Sequence, residues 1–350
     1  MTRRLNTFEL VSVGTAGVLS VAAGVFDLAG AGSTAVFLAS AVALVALAWI
    51  VGIATEQLGE SSGPKVGGVL NATFGNAAEL IITIFAIRAG QLEVATASIT
   101  GSILGNTLLV LGASFVVGGV RHGRLTFDRR IAGMNASMLA LAVIGLGLPT
   151  AFAAARGTGP DVQTISDVTA AILVVLYVLS LIFYFRTGSG GHPASGEPHW
   201  PARLAIGVLL LSTGTVAVIS DVFVGTLASV ITTLGISAAF LGLVIVPLVG
   251  NIAENIVGIK IAYRNQMDFS MVVSLGSSQQ VALGVAPALV FLSLLTPHHF
   301  DLVFPVIQVL ALVAAVTITA LIAADGESNW LEGAQLVAVY LIIATAFWYL

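Results

Sequence analysis

The chain contains no cysteine, and its 350 residues carry only 13 basic and 17 acidic side chains. The missing thiols exclude disulfides, thiolate metal sites and a cysteine nucleophile. With 9% charged residues against 57% hydrophobic, there is too little polar surface to clothe a water-soluble globule. A net charge of -4 provides no basic face for nucleic acid. Nucleotide chemistry lacks its motif too, because the stretch from Gly59 to Lys65 has no Gly-Lys-Ser/Thr ending and no Walker A sequence occurs elsewhere. The five histidines, His122, His192, His199, His298 and His299, fall in predicted loops, and neither HExxH nor a Ser/His arrangement is present. An ATP-driven pump and an intramembrane enzyme are therefore disfavoured, and no cofactor is expected.

What the chain has in abundance is apolar length. Its mean hydropathy is +1.04. Stretches long enough to cross a bilayer run over 9–29, 34–55, 66–88, 94–118, 131–151, 167–186, 203–224, 237–262, 270–294, 302–323 and 331–350. Eleven transmembrane helices are predicted, with the Gly-rich third, fourth, eighth and ninth open to interruption. The first is expected to be retained, since no cleavage site and polar mature domain follow it. The longest polar link, Thr187 to Pro201, reads as a flexible hinge near the middle. If the helices alternate, eleven of the 13 Lys and Arg residues fall on one side and only Arg88 and Arg156 on the other. That segregation predicts a cytoplasmic N-terminus and an external C-terminus. With no targeting extension, a prokaryotic plasma membrane is the expected location, ahead of a vacuolar one.

The two halves resemble each other. Gly75-Asn76-Ala77-Ala78-Glu79 aligns with Gly250-Asn251-Ile252-Ala253-Glu254 at a displacement of 175, and the same register pairs Gly101-Ser102 with Gly276-Ser277. The predicted organisation is a leading helix (1–30), a first five-helix repeat (31–186), a linker (187–202) and a second five-helix repeat (203–350). Five helices per repeat invert the second copy in the membrane. Inverted repeats are a transporter architecture, with the substrate site near the midplane where interrupted helices meet. The leading helix has no counterpart and is free to contact lipid or a second subunit, so an oligomer is compatible with the pattern.

Among the acidic residues only Glu79 and Glu254 are predicted to lie deep, at equivalent points of the two repeats. A carboxylate in hydrocarbon costs several kcal/mol. No basic residue is predicted at that depth, so a cation or a proton must compensate. Asn76 and Asn251 stand three residues before the two acids, on the same helical face. Carboxylate and amide oxygens make a hard site suited to Ca²⁺, and less suited to Mg²⁺, which sheds water reluctantly. On the following spans Ser102, Asn106, Ser277 and Gln280 are predicted to supply a second polar wall, with Gln279 a weaker candidate. Polar packing between helices is the alternative for each.

The stretches GGVLNATFGNAAELI (67–81) with GSILGNTLLVLG (101–112), and PLVGNIAENIVGI (247–259) with GSSQQVAL (276–283), resemble the paired signature repeats of the calcium/proton exchanger (CAX) family. The likeness covers essentially the whole chain. It implies membership of the wider cation/calcium exchanger superfamily, an eleven-helix inverted-repeat fold and alternating access. It further implies that Glu79 and Glu254 bind Ca²⁺ and exchange it for protons, with Asn76, Asn251, Ser102, Ser277 and Gln280 in support. Two departures stand out: the linker has a single acid, Glu197, where the family often has an acidic stretch, and Gln279 occupies a place expected to be less polar. The alternatives are a Na⁺/Ca²⁺ exchanger, disfavoured by Asn three before each Glu and by the lack of a third deep acid, and a cation channel, disfavoured because two acids on inverted repeats form no ring.

Overall fold

The computed structural model describes residues 7–62, 70, 73–157, 159–187 and 200–350. These form helices α1 (Thr7–Leu28), α2 (Ser33–Ser62), α3 (Ala77–Arg88), α4 (Leu92–His122), α5 (Arg129–Arg156), α6 (Pro160–Thr187), α7 (Ala202–Leu234), α8 (Ala238–Gly250), α9 (Ile252–Tyr263), α10 (Met267–Ser293), α11 (Val306–Ala323) and α12 (Trp330–Trp348). Among the described residues nine helices are long and apolar enough to cross a bilayer, and α8 with α9 forms a further span bent by 69°. The expected third span is described mainly through α3, whose 12 residues are too short to cross alone. Most of the predicted hinge, residues 188–199, lies outside the described set. Just beyond it Trp200 is buried and donates its backbone N–H to Gln57 at 3.1 Å.

Apolar composition makes helices here, and local chemistry interrupts them. Pro247 has no N–H to give the carbonyl of Leu243, and the chain relaxes into a π-turn at Leu241–Ile245. Pro287 acts in the same way on the π-turn at Val281–Val285. A third π-turn, Gly105–Val110, has no proline and lies over 280–285 at the 175-residue displacement. Asn76 and Asn251 leave helical geometry together, with φ/ψ of -103°/17° and -110°/12°.

Packing follows the internal symmetry. Helix α2 lies on its counterpart α7, and α5 on its counterpart α11. The α3–α7 contact is matched by α9–α2, α4–α12 by α10–α6, and α10–α5 by α11–α4. Helix α1 stands outside this exchange, against α2 and α7. Close crossings need glycine. A Cβ on Gly242 would sit 2.5 Å from the Val94 carbonyl oxygen, and one on Gly101 would overlap the Leu243 backbone, so α4 and α8 meet backbone to backbone.

A two-residue antiparallel ladder joins β1 (Leu125–Thr126) to β2 (Glu327–Ser328), with Leu125 opposite Ser328. It ties the α4–α5 turn to the α11–α12 turn. The same end holds an Arg124–Glu327 ion pair, the Arg121 guanidinium over the Tyr263 ring and a 2.5 Å hydrogen bond from the Asp128 N–H to Asp268.

Candidate functional site

Each deep glutamate occupies the first turn of a half-helix, Glu79 in α3 and Glu254 in α9. A helix start presents backbone N–H groups without intrahelical partners, which favours negative charge there. The residue before each helix is an asparagine, a residue type that normally caps the N–H groups with its side-chain oxygen. Neither Asn76 nor Asn251 does so. Both side chains reach instead across to the opposite repeat.

Asn251 spends both amide hydrogens this way, one on Glu79 Oε2 at 3.3 Å and one on Ser102 Oγ at 3.0 Å. Asn76 gives a hydrogen to Gln280 Oε1 at 2.8 Å, and its oxygen lies 3.3 Å from Ser277 Oγ. Ser277 is also 2.5 Å from Glu254 Oε2 and accepts from Asn106 Nδ2 at 3.0 Å. Its single hydrogen serves one acceptor at a time, and the shorter contact is the one to Glu254. All eight residues singled out in the sequence thus fall into two hydrogen-bonded sets, Glu79 with Asn251 and Ser102, and Glu254 with Ser277, Asn76, Asn106 and Gln280.

The two sets are not equivalent. Asn106 and Gln280 align with Val281 and Gly105 at the common displacement, and both amides serve the Glu254 side. Glu79 is 0% exposed and its Oε1, like Asn251 Oδ1, has no hydrogen-bond partner. Glu254 borders a cavity of about 40 Å³ shared with Thr55 and Gly52 of α2 and with Gly75 and Gly250. A second cavity, about 80 Å³, is bounded by Ser102, Asn106, Asn251, Asn255 and Tyr340.

The two carboxylates, one with an unpartnered oxygen, and the orphaned Asn251 Oδ1 beside them make a donor set composed of oxygen alone. The ion pairs formed by described residues all lie away from Glu79 and Glu254. Nor do the described residues contain a cluster of three Asp, Glu, His or Cys side chains suited to a resident metal. The arrangement can hold a hard cation through two carboxylates, amide oxygens and hydroxyls, or remain neutral by taking up protons.

Gln279 turns elsewhere. Its amide donates to the Asn135 backbone oxygen at 2.8 Å and lies 3.2 Å from Asn135 Oδ1, which also accepts from the Tyr184 hydroxyl at 2.5 Å. This buried knot joins α10 to α5 and α6, and it explains a polar residue where an apolar one is expected. Sequence reading also passed over Thr83–Ser98 (3.1 Å) and Thr100–Gln308 (2.9 Å), buried pairs between helices. The signal for the first was present, since Thr83 follows Glu79 by four residues and Ser98 precedes Ser102 by four.

Inverted repeats of broken helices around two buried acids define an integral membrane protein built as a secondary transporter. The chain belongs to the sodium/calcium exchanger protein family, whose pattern matches residues 32–186 and again 204–349, either side of the linker. It is 40% identical over 327 residues to the Ca²⁺/H⁺ antiporter ChaA of Bacillus subtilis, covering 91% of this chain and 93% of that one. To the Ca²⁺/H⁺ antiporter of Aphanothece halophytica it is 38% identical over 335 residues, covering 90% of each. Among solved structures, native YfkE superposes with a TM-score of 0.85 at 38% identity, covering 98% of this chain and 100% of that one.

Proposed function

We propose that this protein is a secondary active antiporter that exchanges cytoplasmic Ca²⁺ for protons by alternating access. The observation that carries the reading is the pair Glu79 and Glu254, one from each inverted half, each tied to the opposite repeat by hydrogen bonds, Glu79 through Asn251 and Glu254 through Ser277 to Asn76, and set apart from every ion pair among the described residues. The names of the relatives at about 40% identity support it.

In this reading Ca²⁺ and protons compete for the same oxygens. Glu79 and Glu254 supply charge, while Asn76, Asn251, Ser102 and Ser277 hold the carboxylates and lend neutral oxygens. Asn106 and Gln280 orient Ser277 and Asn76. Protonated, the site is neutral and the empty carrier can reorient; ionised, it retains Ca²⁺. The inward proton gradient then drives Ca²⁺ outward. No cofactor takes part. Residues 31–186 and 203–350 act as the two repeats, joined by 187–202 and preceded by the helix in 1–30. The N-terminus is cytoplasmic, the C-terminus external and the membrane a prokaryotic plasma membrane, with the outer face of α1 available to lipid or a second copy.

Measuring ⁴⁵Ca²⁺ uptake into everted vesicles under an imposed pH gradient tests the assignment. Uptake is expected to collapse when the gradient is dissipated and in Glu79→Gln or Glu254→Gln, and to persist when choline replaces Na⁺. Uptake that follows Na⁺ instead of pH, or that survives either substitution, refutes it.

A further inference from the structure

Ser102 of α4 and Ser277 of α10 face the ion site, and each of these helices is held from behind. Two residues along an α-helix turn it through about 200°, so Thr100 and Gln279 lie on the faces opposite the two serines. Both find a buried polar partner there in the other repeat. The Thr100 hydroxyl donates to Gln308 Oε1 of α11 at 2.9 Å, and both residues are 0% exposed. The Gln279 amide donates to the Asn135 backbone oxygen of α5 at 2.8 Å, and the Tyr184 hydroxyl of α6 fastens the Asn135 side chain. The helix pairs α4–α11 and α10–α5 are counterparts, yet these clamps are not copies. At the 175-residue displacement Thr100 and Gln308 align with Leu275 and Gly133, and Gln279 and Asn135 with Leu104 and Leu310. The same crossing thus carries a polar bond twice, built from residues that the repeats do not share. The first bond is made at a cost, because Gln308 Nε2 is buried without a partner, which apolar packing would avoid.

We propose that Thr100–Gln308 and Gln279–Asn135 are positioning pairs for the exchange reaction, setting the rotation of α4 and α10 so that Ser102 meets Asn251 and Ser277 meets Glu254; the inference rests on the antiport reading above. A π-turn begins three residues after Ser102, at Gly105, and four after Ser277, at Val281. Within it each carbonyl pairs with the N–H five residues on instead of four. The helix beyond the π-turn therefore does not by itself hold the serine in phase. The clamp does so from the back. A rotation by one residue position, about 100°, takes the serine out of reach of its partner and breaks the clamp with it. Adhesion between membrane helices is served by a polar bond at any level of either crossing. Adhesion does not place both bonds two residues from the serine that faces the ion site.

Initial rates of pH-driven ⁴⁵Ca²⁺ uptake into everted vesicles, read against Ca²⁺ concentration, separate positioning from mere support. Thr100→Val and Gln308→Leu open the first clamp from its two sides, which secures a reading if one variant fails to fold. Gln279→Leu opens the second clamp with the residue that the first repeat has there. Each is expected to raise the KM for Ca²⁺ about threefold to tenfold and to keep Vmax within about twofold, while Thr100→Ser, which retains the hydroxyl, keeps the parent KM. The shift should vanish where the serine is already gone: Thr100→Val adds nothing to Ser102→Ala and Gln279→Leu adds nothing to Ser277→Ala, whereas the crossed combinations multiply. An unchanged KM in the single variants, a fall of Vmax and Tm together at constant KM, or full additivity between a clamp and its own serine overturns the proposal. Failure of the antiport reading looks different, since the unmodified protein would then show no pH-driven Ca²⁺ uptake at all.

Discussion

Ser277 Oγ lies 2.5 Å from Glu254 Oε2 and 3.3 Å from Asn76 Oδ1, so one hydroxyl joins the acid of the second repeat to the amide of the first. Its counterpart Ser102 accepts from Asn251, which in turn donates to Glu79. The halves are therefore interlocked through their ion-site residues, and a change on one side is felt by the acid on the other.

Ser277→Ala removes a donor to a buried carboxylate and leaves Asn106 without its acceptor. A hydrogen bond to a charged group is worth about 1.5–3 kcal/mol, which converts to roughly a 10- to 100-fold rise in the KM for Ca²⁺. Ser102→Ala, which carries fewer partners, is expected to do less. Initial rates of ⁴⁵Ca²⁺ uptake against Ca²⁺ concentration give both values, and a larger effect at Ser102 contradicts the asymmetry described here.

Asn251→Leu keeps the volume but strips Glu79 Oε2 of its amide donor, with Oε1 already unpartnered. Leaving a buried polar group unsatisfied costs about 1–3 kcal/mol. The variant is expected to melt at lower temperature in detergent and to lose exchange. Added Ca²⁺ should raise its Tm less than that of the parent, because the ion stabilises only a site that holds it.

Gly101 and Gly276 are equivalent in sequence and opposite in surroundings. A Cβ on Gly101 would collide with the Leu243 backbone; one on Gly276 meets nothing within 4 Å. Gly101→Ala is expected to destabilise by about 1–3 kcal/mol through overpacking, while Gly276→Ala gains up to about 1 kcal/mol from helix propensity. Thermal unfolding of the two variants side by side decides it; equal shifts would refute the backbone crossing of α4 and α8.

At the end of the molecule opposite β1 and β2, His299 Nε2 is 3.2 Å from Asp301 and 3.6 Å from Asp167. Partial burial pushes the Asp301 carboxyl above its usual 3.8, with Asp167 raising it further and His299 opposing. A raised folded-state value means that the protonated carboxyl is the favoured form. Its contribution to stability is complete below 3.8 and is lost as pH climbs through the raised value. Asp301→Asn should therefore gain on the parent as pH rises. Tm measured across the acidic range checks the sign, and a parent that gains relative to the variant with rising pH would show the opposite coupling.

How much was legible beforehand follows from the kind of signal each feature leaves. The spans, the repeat and the two deep acids are visible because apolar length and a rare carboxylate stand out against hydrocarbon. The π-turns left a trace only at Pro247 and Pro287; Gly105–Val110 has no proline, and a π-turn there changes hydrogen bonding without changing composition. Gln279 shows the limit from the other side. It neighbours Gln280 in sequence, yet the helix turns them to different partners, one to Asn135 and the other to Asn76.

Sequence by itself determined that this chain lives in a bilayer, that it is built twice with the second copy inverted, and that Glu79 and Glu254 need a partner with positive charge. Those conclusions come from solvation, which each residue carries with it. Only the tertiary structure decided that the asparagines forgo capping to reach across the repeats, that Glu79 is sealed while Glu254 borders a cavity, and that Thr83 meets Ser98. Such relations depend on how two helices rotate and cross, and that is fixed by the close fit of surfaces far apart along the chain.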